Sequence, residues 1–184
     1  MKYKNSSVLK DLVLIGGGHS HVAVLKKFGM RPLEGTRITV LARDIQTPYS
    51  GMLPGYVAGH YSYEESHIDL WPLCLFSGAR LYHDEATGID LHNKRVICKS
   101  RPSVGFDLVS INIGSRPEIK GIKGAEAFTT PVKPINRFVN RWHLLLDKVL
   151  RNTSNFHVAV VGGGAGGVEL LLAIQFRLKK ALYD

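Results

Sequence analysis

Cysteine is scarce: Cys74 and Cys98 are the only two in 184 residues. They lie too far apart for a Cys-x-x-Cys redox pair or a zinc cluster, so they read as two buried or idle thiols suited to a reducing compartment. Long hydrophobic runs are missing too. The start, MKYKNSSVLKDLVLI, is apolar only over a strand's length before a glycine turn interrupts it, which does not match a secretory signal. The most apolar stretch, Val158 to Ile174, contains five glycines and Glu169 and reads as strand, turn and helix, not as a membrane span. The chain is therefore expected to be cytoplasmic, with a membrane contact that is at most peripheral. Acidic residues are the minority, 15 Asp and Glu against 24 Lys and Arg, giving a formal net charge of +9. The excess is scattered, its tightest groups being Lys26-Lys27 and Arg177, Lys179 and Lys180, and no aromatic platform interleaves with it. Nucleic acid is accordingly not an expected partner. No metal is expected either: His19 and His21, two apart at a helix start, point to different sides, and nothing brings His60, His67 and His83 to one face.

What is abundant is glycine, and it is concentrated in one pattern that occurs twice, as LVLIGGGHSH (Leu12 to His21) and VAVVGGGAGGVE (Val158 to Glu169). Each copy predicts an apolar strand, a glycine turn and a helix, which together offer backbone N–H groups and a positive helix end to a pyrophosphate. The second has the full GxGxxG spacing with Gly162, Gly164 and Gly167. In the first, Gly16 and Gly18 hold two places and His21 the third, so the helix must sit farther from the sheet or the site must reshape around an imidazole. Two such loops suggest two dinucleotides, and the economical chemistry for two dinucleotides is hydride transfer from a nicotinamide to a flavin.

Between the loops, Val22 to Phe28 predicts a first helix ended by a left-handed Gly29, and RITVL (Arg37 to Leu41) a second strand. Thr47 to Glu65 is rich in glycine, proline and aromatics, too irregular for a sheet and too apolar for a solvated loop. Thr87 to Val109 predicts a small antiparallel meander leading into a buried strand, Leu108 to Ile113, stopped by Gly114 and Pro117. Ile135 to Leu150 carries an apolar stripe at helical spacing in which Trp142 is a core residue. A helix from Val168 to about Lys180 follows the second loop; the strand after it, with its ribose-binding acid, is absent, and no strand precedes Asp184 to make it one. The chain is thus expected to be the amino-terminal part of a longer protein. The fold class is α/β: a Rossmann-like domain of parallel sheet, helices and meander over residues 1–118, then linker, helix and the start of a second Rossmann-like domain over 119–184.

The segments GGGHSHVAVLKKFGMRP, TPYSGMLPGYVAGHYS, FDLVSINIGSRP, PVKPINRF and GGGAGGVEL resemble the pyridine nucleotide-disulfide oxidoreductase superfamily, in its branch near type II NADH dehydrogenases. They are most similar to the NADH-dehydrogenase-like domain fused ahead of selenide, water dikinase. The resemblance implies FAD on the first loop, held by Gly16, Gly17, Gly18 and the amides near His19 and Ser20, and NAD(P)H on the second, at Gly162, Gly164 and Gly167. It places Ser50, Gly51, Met52 and Leu53 toward the isoalloxazine, Gly114 and Ser115 at the turn beside FAD, and Glu169 near the nicotinamide. Asn112 and Ile113 replace the family's usual Ala-Thr before that turn, leaving the backbone contact at Gly114. The family's ribose-binding acid falls at Ala42; either Asp44 reaches back, or Arg43 meets the phosphate or adenine, or both are solvated loop charges. Glu169 on the first helical turn also admits a role in capping the helix dipole.

No catalytic acid, base or nucleophile is nominated, because hydride transfer between stacked rings requires none. The resemblance implies an NAD(P)H oxidoreductase passing electrons to a small acceptor such as a quinone. The alternative is a redox-sensing nucleotide module, without turnover, attached to a selenium-metabolism partner. A sulfide-oxidising relative would need further cysteines near the flavin.

Overall fold

A computed structural model describes residues 8–151 and 156–183; Asp184 lies outside them. The chain begins with strand β1 (Lys10–Ile15), helix α1 (His19–Met30) and strand β2 (Thr36–Ala42). β3 (Gln46–Pro48) leads through a 3-10 turn at Ser50–Met52 to α2 (Leu53–Ala58) and α3 (Tyr63–Ser66). β4 (His67–Asp69), α4 (Leu70–Ser77) and β5 (Arg80–His83) follow, then β6 (Ala86–Asp90), β7 (Arg95–Cys98), β8 (Val104–Gly105) and β9 (Leu108–Ile111). Three helices complete it: α5 (Ala125–Phe128), α6 (Ile135–Arg151) and α7 (Ala165–Tyr183). Two compact units result. The first holds the chain up to Thr47 together with Asp69–Gly114; the second holds Pro48–Ile68 and the chain from Ser115 onward.

In the first unit four parallel strands lie in the order β5-β2-β1-β9. Alternation along β1 and β2 explains its three layers. Leu12, Leu14, Ile38, Val40 and Ala42 face one way and pack with Leu25 of α1 and with Leu70 and Cys74 of α4. Val13, Ile15 and Leu41 face the other way, against Val96 and Cys98 of the antiparallel β6-β7-β8 meander. Strands apolar on both faces are what a sheet covered on both sides requires. Asp11 fixes the lower end: it accepts from Nε and Nη2 of Arg37, and its own N–H donates to Asp107 ahead of β9.

Four details depart from the sequence reading. Gly29 does not end α1. It lies inside the helix, where a Cβ would run into the Phe76 ring, so it is a packing glycine between α1 and α4. The return strand ends at Ile111, short of Ile113, and is a half-open edge, with Leu108 64% and Ile111 56% exposed. Edge position explains this, since only β1 flanks it. The segment 47–65 is mostly short helix after the end of β3, and the helical turns satisfy most of its backbone. Helix α4, LWPLCLFS, carries no helical period in its apolar residues and was not anticipated.

The second unit is helical. Leu53 and Val57 of α2, Ile135, Phe138, Val139 and Trp142 of α6, and Leu170, Ala173 and Ile174 of α7 form one core. The α6 positions follow the i, i+3, i+4, i+7 spacing of a helix's buried face. Trp142, 4% exposed, is a core residue as expected. The strand expected at Val158 to Val161 is not formed: the segment has no regular secondary structure, with Val158 and Val160 packed against the helical core and Val161 exposed. A parallel strand needs a neighbour, and no strand among the described residues pairs with it.

Candidate dinucleotide sites

The first glycine loop turns sharply off the end of β1. Gly16 has φ +91°, a left-handed value that favours glycine, and its N–H donates to the Leu41 carbonyl at 2.8 Å. All three glycines are crowded. A Cβ on Gly16 would overlap the Asn112 carbonyl, on Gly17 the Thr47 hydroxyl and the Leu70 side chain, and on Gly18 the Asn112 side-chain amide. Gly18 N–H donates to the Asn112 carbonyl at 3.3 Å, and Asn112 N–H donates to Ile15 at 2.8 Å. Asn112, known from sequence only as a departure from the family's Ala, is thus the residue against which the loop is moulded. Motif spacing cannot reveal this, because the contact joins segments far apart in the chain.

Gly18 is the N-cap of α1; no side chain caps the helix there, and no acid lies in its first turn. The helix start thus lacks a side-chain cap from Gly18, and its positive dipole end faces the loop. His21, in the third place of the motif, is packed inside and hydrogen-bonded at both ring nitrogens. The ring is 2% exposed, with Nδ1 2.7 Å from the Gly16 carbonyl and Nε2 3.0 Å from Ser110 Oγ on β9.

The remaining first-loop candidates are placed as follows. Ala42 is buried at the end of β2, and Arg43 next to it donates through Nε and Nη2 to Asp44 at 3.0 and 2.8 Å. Arg43 and Asp44 thus engage each other, and the Arg43 carbonyl lies 2.9 Å from His83 Nε2. Gly114, with φ +76°, closes the first unit, and nothing lies within 4 Å of where its Cβ would be. Ser50, Gly51, Met52, Leu53 and Ser115 belong to the second unit. Ser50 to Met52 form the 3-10 turn, Leu53 lies in the helical core, and Ser115 Oγ accepts from Lys133 Nζ at 3.4 Å.

The second glycine loop has the turn without the strand. Gly162 adopts φ +119°, and the Cα of Gly167 sits so close to the Gly162 carbonyl that any Cβ would overlap it. By contrast, Gly163, Gly164 and Gly166 have nothing within 4 Å of a would-be Cβ. The loop is therefore tight where the helix folds back and open along the rest. Glu169 is the fifth residue of α7, exposed, and no acid lies in the helix's first turn. That position, just past the first turn, is where the helix dipole's hold on a negative charge weakens.

Among the described residues no group of three His, Cys, Asp or Glu could hold a metal ion, and no helix is long and apolar enough to cross a membrane. Cys74 and Cys98 are free and buried. Burial pushes the Cys74 thiol up to about 11, with the nearby Asp69 charge adding to the effect, and raises Cys98 as well.

The chain is similar to the NADH dehydrogenase-like protein YutJ of Bacillus subtilis, 27% identical over 171 residues that make up 88% of this chain and 44% of that protein. Among solved structures, the sulfide:quinone oxidoreductase of Aquifex aeolicus matches 93% of this chain with 40% of its own, at a TM-score of 0.69 and 21% identity. The NDH2 of Plasmodium falciparum in complex with NADH matches 94% with 38% of its own, at 0.70 and 15%. At such identities the solved structures establish the fold, an α/β arrangement of Rossmann-like kind. The chain spans less than half the length of each of these relatives. With residues 10–181 matching its family model, this chain belongs to the pyridine nucleotide-disulphide oxidoreductases.

Proposed function

We propose that this chain is part of an FAD-dependent NAD(P)H oxidoreductase of the NADH dehydrogenase-like kind, delivering electrons to a small acceptor for which a quinone is the leading candidate. The observation that carries the reading is the duplicated turn: two glycine loops, each with a positive φ at its first glycine and each running into a helix without an acid in its first turn. Both loops fit a dinucleotide. In the first, the glycines are needed to bring backbone onto backbone beside a helix start that no side chain caps; in the second, the open face at Gly163, Gly164 and Gly166 leaves room for a ligand.

In this reading Gly16, Gly17, Gly18 and the helix start at His19 and Ser20 receive the FAD pyrophosphate, and Gly114 and Ser115 flank the flavin. Gly162, Gly164 and Gly167 receive NAD(P)H, with Glu169, exposed one turn into α7, toward the nicotinamide. Residues 1–118 then serve FAD and 119–184 open the NAD(P)H domain, with Ser50 to Leu53, which fold in the second unit, toward the flavin ring. Arg43 and Asp44, engaged with each other, meet the adenosine end as a pair. Bound together, the two cofactors supply hydride transfer, and the chain's own share is orientation and exclusion of water. A cytoplasmic location and a fused selenium-metabolism partner belong to the same proposal, resting on the motif resemblance alone.

The test is the visible spectrum of the full-length protein of which this chain is part, mixed with FAD and desalted, followed by NADH without oxygen; the 184-residue piece by itself is expected to be inactive. A retained flavin band that NADH bleaches, and that an added quinone restores, is the expected result. Retention of both cofactors with no bleaching favours the redox-sensing module. Absence of any retained flavin from the folded full-length protein overturns the assignment of the first loop.

A further inference from the structure

We propose that His21, with Ser110 behind it, is the positioning residue of the first glycine loop, taking over by hydrogen bonding what the third glycine of a GxGxxG loop does by being small. The proposal rests on the reading of this loop as the FAD pyrophosphate site. A third glycine allows the helix to approach the strand; here that space is filled by an imidazole that is 2% exposed and polar at both ends. A buried ring of this kind is tolerated only when both nitrogens find partners, and both do. The Gly16 carbonyl, 2.7 Å from Nδ1, can only accept, so Nδ1 carries the hydrogen and donates. Ser110 Oγ, 3.0 Å from Nε2, can donate or accept and so completes the ring in either state.

The consequence for ligand binding follows from the planarity of the peptide. Holding the Gly16 carbonyl toward the ring fixes the plane of the Gly16–Gly17 peptide, and with it the direction of the Gly17 N–H on the opposite side. The same ring belongs to α1, three residues beyond the N-cap Gly18. Ser110 stands on β9, paired with Leu14 in the register of β1 and β9. One side chain therefore locks the turn, the helix start and the return strand to one another, so that the loop's amides are set before any phosphate arrives. Preorganised donors bind more tightly because less order is lost on binding.

Four single variants of the full-length protein and one double separate the proposal from mere space filling, read by the FAD dissociation constant, the shape of the bound flavin's visible band, and circular dichroism. Asn at position 21 places a donor where Nδ1 stood; Gln places one nearer to Nε2; Gly restores the motif. His21→Asn is expected to bind FAD within about 3-fold of the parent, whereas His21→Gln and His21→Gly weaken it by roughly 10-fold, the scale of one lost hydrogen bond. Ser110→Ala weakens binding in the parent and adds nothing in the His21→Asn background, where its partner nitrogen is already gone. The flavin band should change shape in the Gln and Gly variants and not in Asn. Equal binding by His21→Gly and the parent, or equal loss in Asn and Gln with the fold intact, overturns the proposal while leaving the FAD site standing. Failure of the parent itself to bind FAD overturns both. Should the Gly variant not fold, Ser110→Ala and the Asn–Gln contrast decide alone.

Discussion

Gly16 and Gly164 are the same letter in the same kind of motif, yet the structure gives them different reasons to be glycine. Gly16 combines φ +91° with contact against the Asn112 backbone, while Gly164 has open space where a Cβ would go. Gly16→Ala should therefore lower folding stability by about 1–3 kcal/mol through backbone strain alone. Gly164→Ala should leave the denaturation midpoint nearly unchanged, because the added methyl meets open space, and on the proposed reading of this loop it should weaken NADH binding. Urea titrations and NADH titrations of both variants check this. A stability loss at Gly164 equal to that at Gly16 would mean that its space is filled. At this scale the sequence was legible for the loop residues themselves, whose types and spacing are local. It was silent on Ser110 and Asn112, whose roles exist only once β9 lies beside β1.

At the scale of elements, legibility follows periodicity. Helix α6 and strands β1 and β2 could be read because one buried face, or two, stamps its period on the sequence. Helix α4 could not, because LWPLCLFS is apolar all round although only Leu70 and Cys74 are buried. The strand at Val158 to Val161 was predicted from composition, but strand formation depends on a neighbour that composition does not reveal. Burial of α4 has a chemical consequence at Cys74. Its thiol is raised from the ordinary 9.0 to about 11 by burial, so the folded chain holds that proton more tightly than the unfolded one. The stabilisation is fully present below pH 9 and is lost as pH climbs from 9 toward 11. Thiol-specific reagents at pH 8 should label Cys74 slowly in the folded chain and rapidly in denaturant. Cys74→Ala, though less stable from lost packing, should show a shallower fall in stability between pH 9 and 11. An identical slope would remove Cys74 from the account.

At the scale of the molecule the chain is interleaved, with Pro48–Ile68 folding among the helices of the second unit while the segments on both sides belong to the first. Contiguous division at residue 118, natural from the order of motifs, does not express that crossing, because the apolar residues of α2 carry no mark of which core they will join. The core around Leu25 nevertheless shares no residue with the core around Trp142: Leu25 packs with Leu12, Leu14, Val40, Leu70 and Cys74, and Trp142 with residues of α2, α6 and α7. Substitutions without common partners contribute additively, within about 0.3–0.5 kcal/mol. Leu25→Ala should cost about 2–5 kcal/mol and Trp142→Ala about 3–5 kcal/mol, from lost transfer energy and the cavities left behind. The double variant should show their sum. Because each substitution opens a cavity in a different core, scanning calorimetry on the two singles carries a sharper distinction. If the cores melt separately, Leu25→Ala lowers one transition and Trp142→Ala the other. A single transition lowered by both, with a double variant that departs from the sum, would show that the interleaved chain couples the two cores into one cooperative unit.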